Sequence, residues 1–335
     1  MNNTLTMNYP ASWWKSKWRE AMPSGNGKIG AGVYGSIHDE RILLTHEDLW
    51  WKGKTMEMPD VSGKLPEVRS LLFEGKAEMA DRILADSLKE SGYKPEISCP
   101  LPLGDLKIKM PVKNGFKNYS RSLNMENGEV CVQWQDGETA YKRCLFVSRT
   151  EDMVVLEISK DGPGRIESEI ALNLHDFTDV RKPEFIKGHN LKEKKEVVTE
   201  PGYIYYASQN EDGKDFGAVA RVMNEDGEMK CTAKGINISN SNYVLVYIKL
   251  FVKGEKESCW KRLWGELQNL HSDYNEAERC PPPLQVEGSD WTQQAVSISL
   301  ASLKRFGYGF SKKRKNLSLK SCYKEGLFYY GNRSK

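Results

Sequence analysis

Apolar and polar residues alternate in short stretches along most of the chain. Every second residue is apolar in 105–110, and similar stretches return in 130–134, 141–147, 153–158, 203–207, 216–222, 228–233 and 243–252. Turn signals such as Asp136-Gly137 and Asp161-Gly162 separate them. Short alternating strands divided by turns, with few helices among them, predict a mainly β fold, a large antiparallel β-sandwich over residues 8–255.

A hairpin rich in small residues is predicted near the start of the chain. Residues 23–27, Pro-Ser-Gly-Asn-Gly, are typical of a tight turn, because Asn and Gly adopt left-handed backbone at low cost. Residues 29–37 interleave Ile and Val with Gly and Ala, which predicts a strand that another backbone or a ligand can approach closely. A polar turn at 38–40 and a return strand from residue 41 lead into 45–53, Thr-His-Glu-Asp-Leu-Trp-Trp-Lys-Gly.

The hydrophobic period becomes helical in two places. Residues 64–91 carry apolar residues at helical spacing on either side of Gly75, which predicts a pair of short helices inserted outside the sandwich. From residue 258 the apolar positions again share one helical face, as in a linker helix. The predicted organisation is therefore a sandwich over 1–257, a linker helix over 258–279 and a poorly ordered, proline-containing and basic tail over 280–335.

Composition and charge narrow the function. The 335 residues carry 49 basic and 46 acidic side chains, a net charge of +3, which favours neither nucleic acid nor a membrane surface as a partner. No apolar run is long enough for a membrane helix, and the N-terminus lacks the pattern of a signal peptide. Seven Cys without metal-ligand spacing predict reduced thiols, no metal site and a cytoplasmic location.

An ordered set of motifs carries a family resemblance. The run P-S-G-N-G-K-I-G-A, followed by L-T-H-E-D-L-W-W-K-G, resembles the opening of glycoside hydrolase family 95, the inverting α-L-fucosidases and related α-L-galactosidases. Further similar stretches follow in order at 65–76, 102–106 and 119–124, and the resemblance covers residues 8–278. It implies an N-terminal super-β-sandwich, a linker helix ahead of a catalytic (α/α)6 barrel, and an oligosaccharide substrate with terminal α-L-fucosyl or α-L-galactosyl residues. His46 stands where the family most often has Asn.

The resemblance assigns no catalytic residue to this chain. Inverting hydrolysis needs a general acid and a base that activates water, and in the family both come from the barrel. We expect the chain alone to be inactive, to need no cofactor, and to have the missing barrel as its partner. The pair Glu47 and Asp48 is a weak acid/base candidate, because neighbouring side chains of a strand point to opposite faces. His175 and His189 are expected to be exposed loop residues.

The best site candidates are Asn26, His46, Glu47, Trp50 and Trp51. They could form a sugar platform, in which indoles stack on a pyranose and polar groups bond its hydroxyls. They could equally form the interface with the barrel. We expect the segment 45–53 to lie on an edge facing the linker helix, with at least one of the two indoles partly exposed.

Two function classes remain open. The first is the N-terminal domain of a glycoside hydrolase, inactive alone. The second is a stand-alone carbohydrate-binding β-sandwich that holds glycans through Trp50 and Trp51. The shape of the surface over 45–53 distinguishes them, because docking faces are flat and apolar whereas sugar sites are grooved and polar.

Overall fold

The computed structural model describes residues 3–12, 17–51, 56–93, 98–175, 194–270 and Tyr274. The predictions for His189 and for the tail over 280–335 lie outside these residues. The strands are β1 Thr4–Met7, β2 Met22–Gly25, β3 Ile29–Val33, β4 Asp39–Trp51, β5 Cys99–Lys109, β6 Phe116–Asn124, β7 Glu129–Asp136, β8 Thr139–Ser148, β9 Met153–Asp161, β10 Ile166–Asn173, β11 Glu196–Glu200, β12 Tyr203–Gln209, β13 Asp215–Glu225, β14 Glu228–Thr232, β15 Gly235–Ser241 and β16 Tyr243–Gly254. The α-helices are α1 Leu65–Phe73, α2 Ala77–Glu90 and α3 Lys256–Gln268.

The strands form two antiparallel sheets, which confirms the predicted β-sandwich. The nine-stranded sheet has the order β1-β6-β7-β8-β9-β16-β13-β12-β11, and the seven-stranded sheet has the order β14-β15-β10-β5-β4-β3-β2. Their inner faces bury one continuous apolar core, because alternate residues of each strand point inward. Fully buried members from both sheets include Ile42, Leu44, Leu106, Ile108, Val154, Leu156, Val246 and Ile248.

The helical insert is confirmed and lies between β4 and β5. Gly75, with φ of 75°, provides the left-handed turn between α1 and α2. The insert is highly exposed: among its described residues only Ala80 is buried, and Phe73 is 93% exposed.

The linker helix is confirmed as α3, two residues earlier than predicted at its start. Its buried residues Leu263 and Leu267 pack on the outer face of the nine-stranded sheet. Trp260 contacts the ring of Tyr205 at 5.6 Å. The prediction extended this helix to residue 279, whereas α3 ends at Gln268.

Local structure differs from the predictions at three turns and strand ends. Residues 23–25 belong to β2, and the turn is made by 26–28. Pro23 is compatible with β2 because this is an edge strand, where a missing N–H donor is tolerated. β3 ends at Val33 rather than at residue 37, and β4 begins at Asp39. The alternating stretch 105–110 predicts the next strand, whereas β5 begins six residues earlier, at Cys99.

The prediction of reduced thiols is wrong for two of the cysteines. Cys131 of β7 and Cys144 of β8 are direct partners across the antiparallel ladder and form a disulfide. Their separation of 13 residues does not predict a disulfide by itself, because only the strand register shows that the two cysteines lie opposite each other. Because disulfides persist mainly in oxidising compartments, the cysteine argument for a cytoplasmic location no longer holds.

None of the described helices combines the length and apolarity needed to cross a membrane.

His175 is buried, which corrects the prediction of an exposed loop histidine. It follows β10 and is 3% exposed. Its Nδ1 lies 2.7 Å from Oδ1 of Asp105, which is fully buried in β5. A buried carboxylate needs such a partner, and the sequence spacing of the two residues gives no sign of the contact.

Candidate functional site

The end of β4 leaves the regular ladder, and this irregularity shapes the candidate site. Thr45 pairs with Pro102 and Trp50 with Pro100, so residues 46–49 lie opposite the single residue Leu101. Prolines have no N–H to donate, so β5 cannot hold this part of β4 in regular pairing. The extra residues form a bulge in β4, a distortion that is over-represented beside functional sites.

Asn26 is fully used in holding the turn between β2 and β3. Its Oδ1 accepts from the backbone N–H of Lys28 at 3.0 Å and of Ile29 at 2.9 Å. Its Nδ2 donates to the carbonyl of Ser148 at 3.0 Å and to Oδ1 of Asp152 at 2.8 Å. Asn26 therefore ties the seven-stranded sheet to the turn between β8 and β9.

His46 is 9% exposed and lies at the start of the bulge. Burial lowers its pKa, so the imidazole is neutral near neutral pH. Its Nδ1 accepts from the backbone N–H of Asp48 at 3.1 Å. A neutral ring that accepts at Nδ1 carries its proton on Nε2, which leaves Nε2–H as the donor for a further partner.

The two carboxylates of the bulge are both exposed, although neighbouring residues of a regular strand point to opposite faces. Asp48 pairs with Lys253 at 3.0 Å, and that hydrogen bond lowers the pKa of Asp48. Lys253 lies just before α3, so the bulge faces the linker-helix side of the sandwich. The segment is not on a sheet edge, however, because β4 lies between β3 and β5. Within the described residues, no hydrogen bond or ion pair engages the Glu47 carboxylate.

Both indoles are partly exposed, and their N–H groups bond within the protein. Trp50 Nε1 donates to the carbonyl of Glu47, and the carbonyl of Trp50 accepts from Asn210 Nδ2 at 3.2 Å. Trp51 Nε1 donates to Glu211 Oε1, and the ring packs against the inner core. The N–H groups of both indoles are therefore used within the protein, and both rings remain partly exposed.

Sequence reasoning named five residues here and missed the charges around them. Lys28 forms an ion pair with Asp152 at 2.6 Å, which raises the pKa of Lys28. The backbone carbonyl of Lys28 accepts from the Glu47 N–H at 2.8 Å. Lys253 and Glu211 also come from strands or loops distant in sequence, so no local signal could have found them. The surface thus combines fixed charges, two half-exposed rings and one carboxylate without a described partner.

Among the described residues, one group brings potential metal-ligand atoms close together: Glu129, Cys131 and Cys144. Both cysteines are in the disulfide, so they offer no thiolate. The set lies on the outer face of the nine-stranded sheet, not at the β4 bulge. The bulge itself offers hydrogen-bonding and stacking groups.

Comparison with known proteins places this geometry in a family context. Residues 5–251 match the family model described as Glycosyl hydrolase family 65, N-terminal domain. A solved structure from the human microbiome, named provisionally as a kojibiose phosphorylase, aligns with a TM-score of 0.50 and 11% identity, over 83% of this chain and 37% of that chain. That likeness shows a shared fold.

Curated relatives carry fucosidase names. Alpha-L-fucosidase 2 of Arabidopsis thaliana is 26% identical over 161 residues, 47% of this chain and 18% of the relative. Probable alpha-fucosidase A of Aspergillus niger is 25% identical over 150 residues, 42% of this chain and 18% of the relative. The matched region therefore spans less than a fifth of the length of either relative.

Proposed function

Because the chain belongs to the family of glycosyl hydrolase family 65 N-terminal domains, we propose that it is the N-terminal domain of an inverting α-L-fucosidase-like glycoside hydrolase of family 95. The substrate would be the terminal α-L-fucosyl or α-L-galactosyl residues of oligosaccharides. The observation that carries this proposal is the family match over 5–251 together with relatives named as fucosidases. In this proposal 1–257 is the sandwich domain and 258–279 links it to an (α/α)6 barrel.

The proposal places the chemistry outside this chain. Glycoside inversion needs two carboxyl groups about 6.5–9.5 Å apart, on opposite sides of the scissile bond. At the bulge, the Asp48 carboxylate is already paired with Lys253, so it is not free to act as the second group beside the exposed Glu47 carboxylate. We therefore assign catalysis to the barrel domain.

The bulge surface has a role in this scheme as the contact with the barrel. The hydrogen-bonding groups of Asn26 and the N–H groups of Trp50 and Trp51 are satisfied within the sandwich. What they present outward is rigid shape and ring surface, which suits docking better than recognition of hydroxyls. His46 and Glu47 would add one donor and one acceptor to that interface.

Assay of the purified chain tests the proposal. Aryl α-L-fucosides and aryl α-L-galactosides should show no hydrolysis above buffer, since a missing acid and a missing base each remove about 10²–10⁴-fold in rate. Full-length alpha-L-fucosidase 2 of Arabidopsis serves as the positive control. Turnover by this chain that Glu47→Gln abolishes would place the catalytic residues in the sandwich instead.

A stand-alone carbohydrate-binding module is the second candidate, favoured by the two half-exposed indoles beside the Glu47 carboxylate. In that case Trp50→Ala would weaken fucosyl-oligosaccharide binding by the isolated chain about tenfold or more. Under the docking proposal the isolated chain binds no sugar at this surface, and Trp50→Ala changes only its assembly with a barrel domain.

A further inference from the structure

The outer face of the nine-stranded sheet is divided into a covered part and an open part. The covered part is apolar: Cys131, Cys144 and Val155 belong to one cluster with Leu263 and Leu267 of α3 and with Tyr274. Continuing along β7, β8 and β9 by steps of two residues leads beyond this cluster to polar side chains on the same face. These are Gln133 and Gln135 of β7, Lys142 of β8, and Ser159 and Asp161 of β9.

The strand register arranges these side chains in two parallel rows. One row joins Gln133, Lys142 and Ser159, and the other joins Gln135, Ala140 and Asp161. Between the rows run Trp134, Tyr141 and Lys160, which are also in register and have the opposite side-chain direction. The result is a groove across the strands, with backbone as its floor and side chains as its walls, and a volume of about 410 Å³.

The floor is stiffened from below. Trp134 and Tyr141 stack at 5.6 Å between ring centroids with planes 15° apart, and Trp134 is part of the inner core. The Tyr141 hydroxyl donates to the carbonyl of Arg165 at 3.1 Å. The groove is therefore pre-formed, so the protein loses less conformational entropy when a ligand binds.

The walls are also fixed in part. Asn118 has a left-handed backbone with φ of 51°, and its Nδ2 donates to Gln135 Oε1 at 2.9 Å. Gln135 Nε2 donates to the carbonyl of Gly137 at 3.1 Å. Across the groove, the side chains of Gln133, Lys142 and Ser159 form no hydrogen bond or ion pair with any described residue, so their polar groups are available to a ligand.

We propose that this groove is a glycan-binding site, separate from the β4 bulge, for a neutral and unbranched oligosaccharide. The Gln133 amide offers a donor and an acceptor side by side, which matches the neighbouring hydroxyls of a pyranose. Two ammonium groups and one carboxylate, from Lys142, Lys160 and Asp161, leave the lining with a net charge of only +1, which is too little to select a polyanion such as nucleic acid. The volume lies in the range of small-ligand sites.

Titration of the full chain with cellopentaose, xylopentaose and maltopentaose, followed by calorimetry, tests this site. At least one of them should bind. Ala140→Trp fills the groove at its smallest wall residue and should abolish binding. Lys142→Ala and Gln133→Ala should each weaken it, and together by about tenfold, as expected for two lost hydrogen bonds.

Matched controls separate this site from the bulge and from unfolding. Lys230→Ala, a Lys on an exposed strand of the other sheet, and Glu47→Gln should both leave binding unchanged. If circular dichroism shows that Ala140→Trp does not fold, the Lys142→Ala and Gln133→Ala double variant decides. Absence of binding to all three pentasaccharides, binding unaffected by the groove variants, or preference for an oligogalacturonate over the neutral sugars would each overturn the proposal.

Discussion

Between the sheets, Glu40 and Arg143 form an ion pair away from water, whereas near the end of β4 the ion pairs Lys28–Asp152 and Asp48–Lys253 are exposed to water. Glu40 is fully buried, and its Oε2 lies 2.5 Å from Arg143 Nη2. Burial raises the pKa of Glu40, while the Arg143 guanidinium and backbone N–H groups oppose that rise. The exposed pairs are screened by solvent and salt. The buried pair ties the two sheets together, whereas substitution of the exposed pairs is expected to change stability little.

Removal of Arg143 is expected to have the largest effect. Arg143→Met leaves the Glu40 carboxylate buried without its counter-ion, which lowers the free energy of unfolding by about 3–5 kcal/mol. Urea unfolding followed by tryptophan fluorescence measures this loss. The double variant Glu40→Leu with Arg143→Met removes both charges and should recover most of it. A double variant as unstable as the single one would show that packing, not the unpaired charge, dominates.

Loss of the disulfide should rank second. The bond closes a segment of 13 residues within one hairpin, and chain entropy predicts that Cys131→Ala with Cys144→Ala lowers the unfolding free energy by about 3 kcal/mol. Dithiothreitol should lower the stability of the unmodified chain and leave the double variant unchanged. Equal sensitivity of both proteins would contradict the Cys131–Cys144 pairing.

His46 should make stability depend on pH. Its folded pKa lies below the usual value of about 6.5. Between those two pKa values the unfolded chain binds a proton that the folded chain does not, so stability falls as pH is lowered through this window. Above it the contribution is fully present. Unfolding between pH 5 and pH 8 should show a shallower fall for His46→Asn, and an unchanged slope would assign the pH effect to other groups.

The Lys28–Asp152 pair should contribute least. Both side chains are about half exposed, so Lys28→Met should change the unfolding free energy by less than about 1 kcal/mol, and less still at high salt. Asn26→Ala is the matched comparison, because it removes uncharged hydrogen bonds of the turn at the same place and should destabilise by about 1–2 kcal/mol whatever the salt. Equal effects of the two variants would mean that Asn26 does not hold the seven-stranded sheet to the turn between β8 and β9.

Much of this architecture could be predicted because local pattern and tertiary structure agree. Residues of β7, β8 and β9 alternate in sequence as they do between core and outer face, and α3 has one apolar side that meets the sheet. The helical insert was equally legible, although it is exposed, because its spacing and Gly75 are local signals.

The details of the site depended on partners far away in the chain. The bulge at 46–49 exists because Pro100 and Pro102 lie opposite it, and a proline run read alone indicates only the end of a helix. Asn26 has the appearance of a ligand residue until Ser148 and Asp152 are found beside it. The disulfide and the contact of His175 with Asp105 likewise follow from register, which periodicity does not specify.

The end of α3 has a mechanical consequence. Nη1 of Arg221 donates to the carbonyls of Leu267 and Leu270 at 2.7 and 3.1 Å, at the point where the helix ends. Arg221 belongs to β13, an internal strand hydrogen-bonded to β12 and β16 on its two sides. A pull on the chain just beyond Leu270 would therefore reach the sheet at two internal strands, β16 through the covalent chain of α3 and β13 through the hydrogen bonds of Arg221, rather than at an edge strand.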